Sequence, residues 1–386
     1  MKLAIIGAGT VGAALTKVLC AQDSVTKVVL LDKNGFALNE LTNEIKSSKL
    51  RTHKVGIEQQ LAVSGLIKGF DCLISALPYE YNRRITRLAI KNGINYLDFG
   101  ANDATFEKQK ELHEAAKAKE IFALPNCGLA PGLVNIVAMQ AFKVFDKVDS
   151  IRMRSAGLPL DPIPPLNYQL SFSPAGLVNE YLGDTFILEN GKLTNVKALD
   201  GHETVIFKSM PELGELESFY TSGQSATLAK LLEGKVDKLE FKTLRYPGHR
   251  NIIKSLFDLG FDSDSLIDIR SSMTYKKLLI RQLLRNLPQS PTDIALTKIK
   301  VIGEKDGKQI EKVYEIVEKH NDELNISGLM YSTALPTLVV AELIKQKKLG
   351  NNYGVFAPEE VVPGDEFLEG LKSKGLNITI TESELA

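Results

Sequence analysis

Leu3-Ala-Ile-Ile-Gly-Ala-Gly-Thr-Val-Gly12 decides the reading of this chain. Leu3–Ile6 is a short, wholly apolar run of the kind that forms a buried parallel strand. It breaks directly into Gly7-x-Gly9-x-x-Gly12, with Thr10 and Val11 leading into the helix former Ala13–Leu19. In such a turn the first glycine makes the tight bend and the second lets backbone approach a pyrophosphate. The third lets the helix pack close on the strand. Unpaired N–H groups and partial positive charge at the helix start suit phosphates. A second apolar run, Val28–Leu31, ends in Asp32, twenty residues past Gly12, where a ribose-binding carboxylate is expected. Its charge bonds the ribose hydroxyls of NAD and repels the additional phosphate of NADP. A chance glycine-rich turn needs neither the strand before it nor the helix after it. The expectation is a nicotinamide dinucleotide site that prefers NAD, with NADP second.

Outward from this motif, the first 125 residues alternate strand and helix patterns, which implies a parallel sheet with crossover helices. Asp71–Leu77 reads as a buried strand stopping at Pro78, Arg83–Lys91 as an amphipathic helix and Asn95–Phe99 as a strand. Phe106–Lys119 reads as a helix and Ile121–Leu124 as one more strand. Ligands of doubly wound sheets bind beyond the carboxyl ends of the strands. That edge holds Gly7–Gly12, Ser75-Ala76-Leu77-Pro78, Asp98–Asn102 and Asn126–Gly132.

From about Val148 the strand patterns Ser150–Ser155, Thr204–Phe207, Lys238–Thr243, Leu296–Ile302 and Gln309–Glu318 are joined by long connections. Leu158–Pro165 reads as a proline-rich ordered loop, Gly303–Gly307 as a hairpin turn and Ser332–Lys347 as a helix with Pro336 near its start. The expected fold class is α/β. A Rossmann doubly wound parallel sheet spans 1–125 and is completed by a helical segment at 330–386. An α+β domain on a mixed or antiparallel sheet spans 126–329 and serves substrate and oligomerisation. A chain of 386 residues exceeds the about 250–300 at which single cores stop growing, consistent with two domains.

Composition narrows the partners. Positive and negative side chains balance at 47 each, which argues against nucleic acid or a membrane surface. No apolar run reaches the about 18 residues of a membrane span, and no signal pattern opens the chain. Cys20, Cys72 and Cys127 have no metal-ligand spacing, so no metal is expected. A cytoplasmic protein with reduced thiols is the expectation.

The motifs together resemble the saccharopine dehydrogenase-like family and, within it, the NAD-dependent lysine 6-dehydrogenases. The resemblance rests on Gly7–Gly12, Ser75-Ala-Leu-Pro-Tyr-Glu-Tyr-Asn82, Tyr96-Leu-Asp-Phe-Gly100 and Pro125-Asn-Cys-Gly-Leu-Ala-Pro-Gly-Leu-Val-Asn135. It continues through Ala156-Gly-Leu-Pro159, Pro165-Leu-Asn-Tyr168, Phe172-Ser173, Thr221-Ser-Gly223, Lys242-Thr-Leu-Arg-Tyr-Pro-Gly-His249 and Ala357–Asp365. It implies oxidation at the ε-carbon of lysine, or of a lysine derivative such as saccharopine, with the dinucleotide accepting hydride. It also implies a homo-oligomer, expected to be a dimer. The family often carries Asp where Asn126 stands and a double glycine where Ala156-Gly157 stands.

Residue types then suggest roles, each with a plainer alternative. An amino-acid carboxylate is best held by a bidentate arginine, which nominates Arg245 over a solvated surface ion pair. His249 and Asp98 are the candidate general bases; the alternatives are a turn histidine and a loop cap. Asn126, Gly157 and Pro159 are expected to line the substrate site. Cys127 reads as a packing residue, since hydride transfer needs no nucleophile. Saccharopine requires a second basic anchor, for which Arg154 and Arg250 are available. The substrate is expected in a cleft between the domains. A rival reading is a non-catalytic NAD sensor on the same fold.

Overall fold

A computed structural model of the chain describes residues 1–100, 102–222, 226–290 and 292–385. Gly223 of the Thr221-Ser-Gly223 motif lies outside the described residues. The chain divides into two compact units, residues 1–140 with 330–376, and 141–329 with 377–386.

The first unit is built on a parallel seven-stranded sheet. Its strands are β1 (Lys2–Ile6), β2 (Lys27–Asp32), β3 (Leu50–Lys54), β4 (Cys72–Ser75), β5 (Asn95–Asp98), β6 (Phe122–Leu124) and an edge strand, Gly354–Val355. The order is β3-β2-β1-β4-β5-β6 and then the edge strand, the Rossmann arrangement, which reverses direction between β1 and β4. Continuous apolar runs let strands bury both faces: Leu3, Ala4, Ile5, Val28, Leu30, Leu31, Leu73 and Ile74 have no exposure. Helices Thr10–Ala21, Gly35–Ile45, Gln60–Ile67 and Asn82–Asn92 make the crossovers. Asn34 starts the second of them, its side-chain oxygen accepting from Phe36 N at 3.1 Å and from Ala37 N.

The second unit carries a nine-stranded mixed sheet. Its strands begin with β7 (Lys147–Pro159), β8 (Asp184–Glu189), β9 (Lys192–Lys197) and β10 (Glu203–Val205). They continue through β11 (Leu216–Phe219), β12 (Val236–Arg245), β13 (Asp293–Lys305) and β14 (Lys308–Lys319) to Ile378–Glu384. β7 runs parallel to β12 and antiparallel to β13. The β13–β14 hairpin closes through Asp306 and Gly307, with φ of 53° and 74°, the double left-handed conformation of a type I′ turn. On one side of this sheet a core gathers Tyr168, Leu177, Tyr181, Phe219, Ile253 and Leu279.

Several boundaries differ from the sequence reading. Residues 126–140 fall in the first unit rather than the second, because helix Leu133–Lys143 begins with Leu133, Val134, Ile136 and Val137 fully or almost fully buried there. Residues 377–386 leave the first unit, because Ile378–Glu384 pairs antiparallel with β14. The Phe106–Lys119 pattern is two helices, Asp103–Lys110 and His113–Lys117. The hairpin turn is narrower than Gly303–Gly307, since Gly303 is within β13. Leu158 and Pro159 belong to β7 rather than to a loop. The long late helix starts at Gly328, which places Pro336 in its interior.

Candidate functional site

In the first unit the glycines divide as their spacing predicts. Gly7 has φ +111°, and a Cβ there would lie 2.7 Å from the Ala76 carbonyl oxygen. A Cβ on Gly12 would lie 1.9 Å from the Gly7 carbonyl oxygen. Both positions need glycine for packing. Gly9 differs, because a Cβ there would meet nothing within 4 Å. Its bareness leaves space in front of the loop. The first intrahelical bond runs from Ala13 N to Gly9 O at 2.8 Å, and Gly9 offers no side-chain cap. The N–H groups of Thr10, Val11 and Gly12 therefore have no intrahelical acceptor.

Asp32 closes β2 and reaches back to this loop. Its carboxylate accepts from Ala8 N and from Asn34 N, each at 2.7 Å. Two of its roughly four lone-pair sites remain. Across the β1–β4 junction, Ala76 N donates to Ile6 O, which holds the Ala76–Pro78 backbone beside the glycine turn. Ser75 is turned away from that edge: its buried hydroxyl donates to Asn82 Oδ1 at 2.9 Å.

Asp98 and Asn126 come together at the ends of β5 and β6, where the Asp98 carboxylate is enclosed by donors. Its carboxylate has no exposure. One oxygen accepts from Gly100 N at 2.7 Å and Asn126 N at 3.1 Å. The other accepts from Tyr96 Oη and Gln109 Nε2, each at 2.8 Å. Burial pushes its pKa up, but the four donors fill its lone pairs and leave none for a substrate proton. Asp98 thus ties down the backbone of the loop that carries Asn126. Cys127 is fully buried and its thiol donates to Leu124 O, while burial raises its pKa well above the usual thiol range. That is a packing residue.

In the second unit, Arg245 at the end of β12 is 2% exposed. Its Nε donates to Tyr181 Oη at 2.9 Å, and Nη1 donates to Thr243 Oγ1 and Leu244 O, each at 2.8 Å. Nη2 reaches Glu180 Oε2 at 3.4 Å. The guanidinium carbon lies 4.7 Å from the Tyr168 ring centre. Of the guanidinium nitrogens, Nη2 is the one that faces a carboxylate.

His249 belongs to the same cluster, with both ring nitrogens engaged. Its Nδ1 lies 2.9 Å from Leu166 O, and a carbonyl can only accept, so Nδ1 carries the proton. Nε2 then accepts from Tyr181 Oη at 2.9 Å. Burial first, and Arg245 second, depress its pKa to about 3. The imidazole is neutral and both nitrogens are engaged. Glu180, which closes helix Pro174–Glu180, retains 22% side-chain exposure. Burial drives its pKa up to about 7 against the opposing pull of Arg245. Tyr168 ends the Pro165-Leu-Asn-Tyr168 motif, but Glu180 and Tyr181 follow no pattern that marks them.

The remaining nominees make other contacts. Gly157 lies mid-strand in β7, opposite Ala295, where a Cβ would come within 2.7 Å of Leu329 Cδ2. Pro159 is buried at the end of β7, and its carbonyl accepts from Tyr246 Oη. β7 runs parallel beside β12 with Ser155 opposite Thr243, so Gly157 continues the strand next to the one that ends in Arg245. Arg154, the expected second anchor, is committed elsewhere: it is 4% exposed and paired with Glu203 and Glu240. Arg250 Nε donates to Leu199 O at 2.5 Å, which leaves only part of its fork unengaged. Among the described residues no group of three or more His, Cys, Asp or Glu is arranged to hold a metal. No described helix is long and apolar enough to cross a membrane.

The fold and the glycine cradle define a two-domain protein with a dinucleotide-binding first unit. Two family models match: the saccharopine dehydrogenase NADP binding domain over residues 3–124, and the saccharopine dehydrogenase C-terminal domain over residues 128–376. The chain belongs to the saccharopine dehydrogenase family. It is 24% identical over 350 residues to the mitochondrial alpha-aminoadipic semialdehyde synthase of Bos taurus, covering 83% of this chain and 37% of that one. It therefore spans little more than a third of that relative. It is 23% identical to the carboxyaminopropylagmatine dehydrogenase of Synechocystis, over 97% of this chain and 96% of the other. Apo saccharopine dehydrogenase (L-Glu forming) from Saccharomyces cerevisiae shares the fold, with a TM-score of 0.80 at 16% identity over the full length of both chains.

Proposed function

We propose that this chain is an NAD-dependent dehydrogenase that oxidises the ε-carbon–nitrogen bond of L-lysine, giving 2-aminoadipate 6-semialdehyde and ammonia. The observation that carries the reading is Arg245, a buried guanidinium stacked on Tyr168 and paired with the partly exposed Glu180. A desolvated cation of this kind suits the carboxylate of a small amino acid. Family membership supplies the reaction class.

The residues of the first unit fit a dinucleotide. Gly9 leaves the space a pyrophosphate needs, and the N–H groups of Thr10, Val11 and Gly12 at the helix start have no intrahelical acceptor. Asp32, steadied by Ala8 N and Asn34 N, keeps lone pairs for the ribose diol and a charge that disfavours the NADP phosphate. The backbone of Ala76, Leu77 and Pro78 flanks the same turn. When bound, the cofactor supplies the hydride acceptor. In the second unit Arg245 binds the carboxylate, and Tyr181 with His249 holds the guanidinium in place. Asn126, fixed by Asp98, is kept as a substrate-binding residue, while Gly157 and Pro159 support the sheet.

Saccharopine is the second reading, favoured by the family the chain belongs to. Against it stands the commitment of Arg154 to Glu203 and Glu240, which removes an anchor for further carboxylates. The proposal carries with it a cytoplasmic homodimer acting on a small molecule, without nucleic-acid or membrane partners. The test follows absorbance at the reduced-nicotinamide band with NAD or NADP and either lysine or saccharopine. Reduction with lysine and NAD supports the proposal. Reduction with saccharopine alone moves the assignment to the second reading. NAD binding with no reduction by either amine points to a sensor.

A further inference from the structure

Arg245 has five N–H donors, and three are spent on Tyr181 Oη, Thr243 Oγ1 and Leu244 O. A fourth makes the long 3.4 Å approach to Glu180 Oε2, and the fifth has no acceptor among the described residues. On the other side, Glu180 takes only this one side-chain contact, although its backbone carbonyl is fixed by Ser222 N at 2.9 Å. Next to Ser222, the Thr221 hydroxyl is buried without a partner among the described residues. A cation and an anion thus lie side by side, poorly bonded to each other, with spare hydrogen-bonding capacity on both. Tyr168, Tyr181 and the neutral His249 are the other ionisable groups of the cluster, and none adds charge at neutral pH.

We infer that Arg245 and Glu180 together form a receptor for the zwitterionic end of an α-amino acid, Arg245 taking the α-carboxylate and Glu180 turning from Arg245 to the α-ammonium. The inference rests on the proposed function and names the feature of the substrate that the second unit selects. An α-carboxylate and an α-ammonium hang from one carbon, so their receptors must be neighbours, as these two are. The charge balance explains why both are needed. A ligand bringing only a carboxylate displaces Glu180 from Arg245 and leaves a second anion without a cation. A zwitterion brings the cation with it. The high pKa of Glu180, about 7, agrees with a carboxylate that Arg245 alone compensates incompletely.

The test is calorimetric titration of the full chain, with NAD present, using L-lysine, L-saccharopine and 6-aminohexanoate, which is lysine without its α-amino group. The expected wild-type preference for lysine over 6-aminohexanoate is about 10–100-fold, the size of one charged hydrogen-bonded contact. Glu180→Gln abolishes that preference, weakening lysine while leaving 6-aminohexanoate unchanged or tighter. Glu180→Asp, which keeps the charge on a shorter arm, retains part of it and carries the test should the amide variant not fold. An unchanged ratio in the variants overturns the inference, as does equal binding of the three ligands, or no binding of either α-amino acid, in the wild type. Lysine oxidised with an unaltered ratio leaves the proposed function standing without the receptor. Preferential amino-acid binding without any reduction leaves the receptor standing without the lysine reaction.

Discussion

Replacing Asp98 with asparagine separates the two roles a carboxylate at a strand end can have. The side chain accepts four hydrogen bonds, two from backbone N–H groups and two from Tyr96 and Gln109. An amide has one acceptor oxygen. If its NH₂ faced Gly100 N and Asn126 N, neither donor could rearrange. The stable rotamer therefore turns the oxygen to the backbone and the NH₂ to Tyr96 and Gln109. The tyrosine hydroxyl can rotate to accept, but Gln109 must flip and give up its 2.9 Å bond to Thr86 Oγ1. Losing charge assistance costs about 1 kcal/mol per bond, or about 4 kcal/mol in all. Removing a buried anion, whose raised pKa shows that the donors do not fully offset desolvation, returns about 1–2 kcal/mol. The net destabilisation is about 2–3 kcal/mol, equivalent to roughly 5–10 °C in the Tm of the first unit. Calorimetric scans with and without NAD measure it. An Asp98→Asn protein that melts within about 2 °C of wild type, yet loses turnover by two orders of magnitude, would refute the reasoning and restore Asp98 as a base.

Further outcomes follow from the same geometry. Gly9→Ala keeps its stability within about 1 kcal/mol, since its backbone is extended and its Cβ meets nothing, but weakens NAD binding at least about tenfold. Gly12→Ala, with a Cβ 1.9 Å from Gly7 O, distorts the turn itself, and isothermal titration together with melting distinguishes the two. Asp32→Asn narrows the preference for NAD over NADP, and an unchanged ratio of the two kcat/KM values counts against the ribose contact. His249 stays neutral down to about pH 3, so it contributes no limb to log kcat/KM between about pH 5 and 8. A limb in that range lost in His249→Asn would return it to the role of base. Burial works to raise the pKa of Glu203, yet Arg154 and Lys242 prevail and hold it at about 2. Its contribution to stability is complete above the unfolded value of 4.5 and disappears as pH falls towards about 2. Melting curves down this range are expected to be flatter for Glu203→Gln.

The parts of the fold legible in the sequence are those written in local spacing. The β1 run, the glycine turn and the helix after it lie within a few residues of one another. Asp306-Gly307 likewise supplies its own left-handed pair. The domain boundaries were less legible because burial, not local pattern, decides them. Leu133–Lys143 is helical wherever it packs, and only Val134, Ile136 and Val137 inside the first unit show which core it joins. Ile378-Thr-Ile-Thr381 alternates as a strand should, yet its pairing with β14 depends on residues more than sixty positions away. The candidate site repeats this division more sharply. Arg245 and His249 share a motif, but the groups that settle their chemistry are Leu166, Tyr168, Glu180 and Tyr181, on other elements. Residue type alone cannot separate a free histidine from one whose two nitrogens are already bonded, or an open carboxylate from one with four donors around it. Hence the two bases nominated by type prove saturated. The carboxylate beside Arg245 with capacity to spare, Glu180, ends a seven-residue helix with no motif around it. Its significance comes from lying against Nη2 of Arg245, a relation that exists only once β12 and that helix have packed.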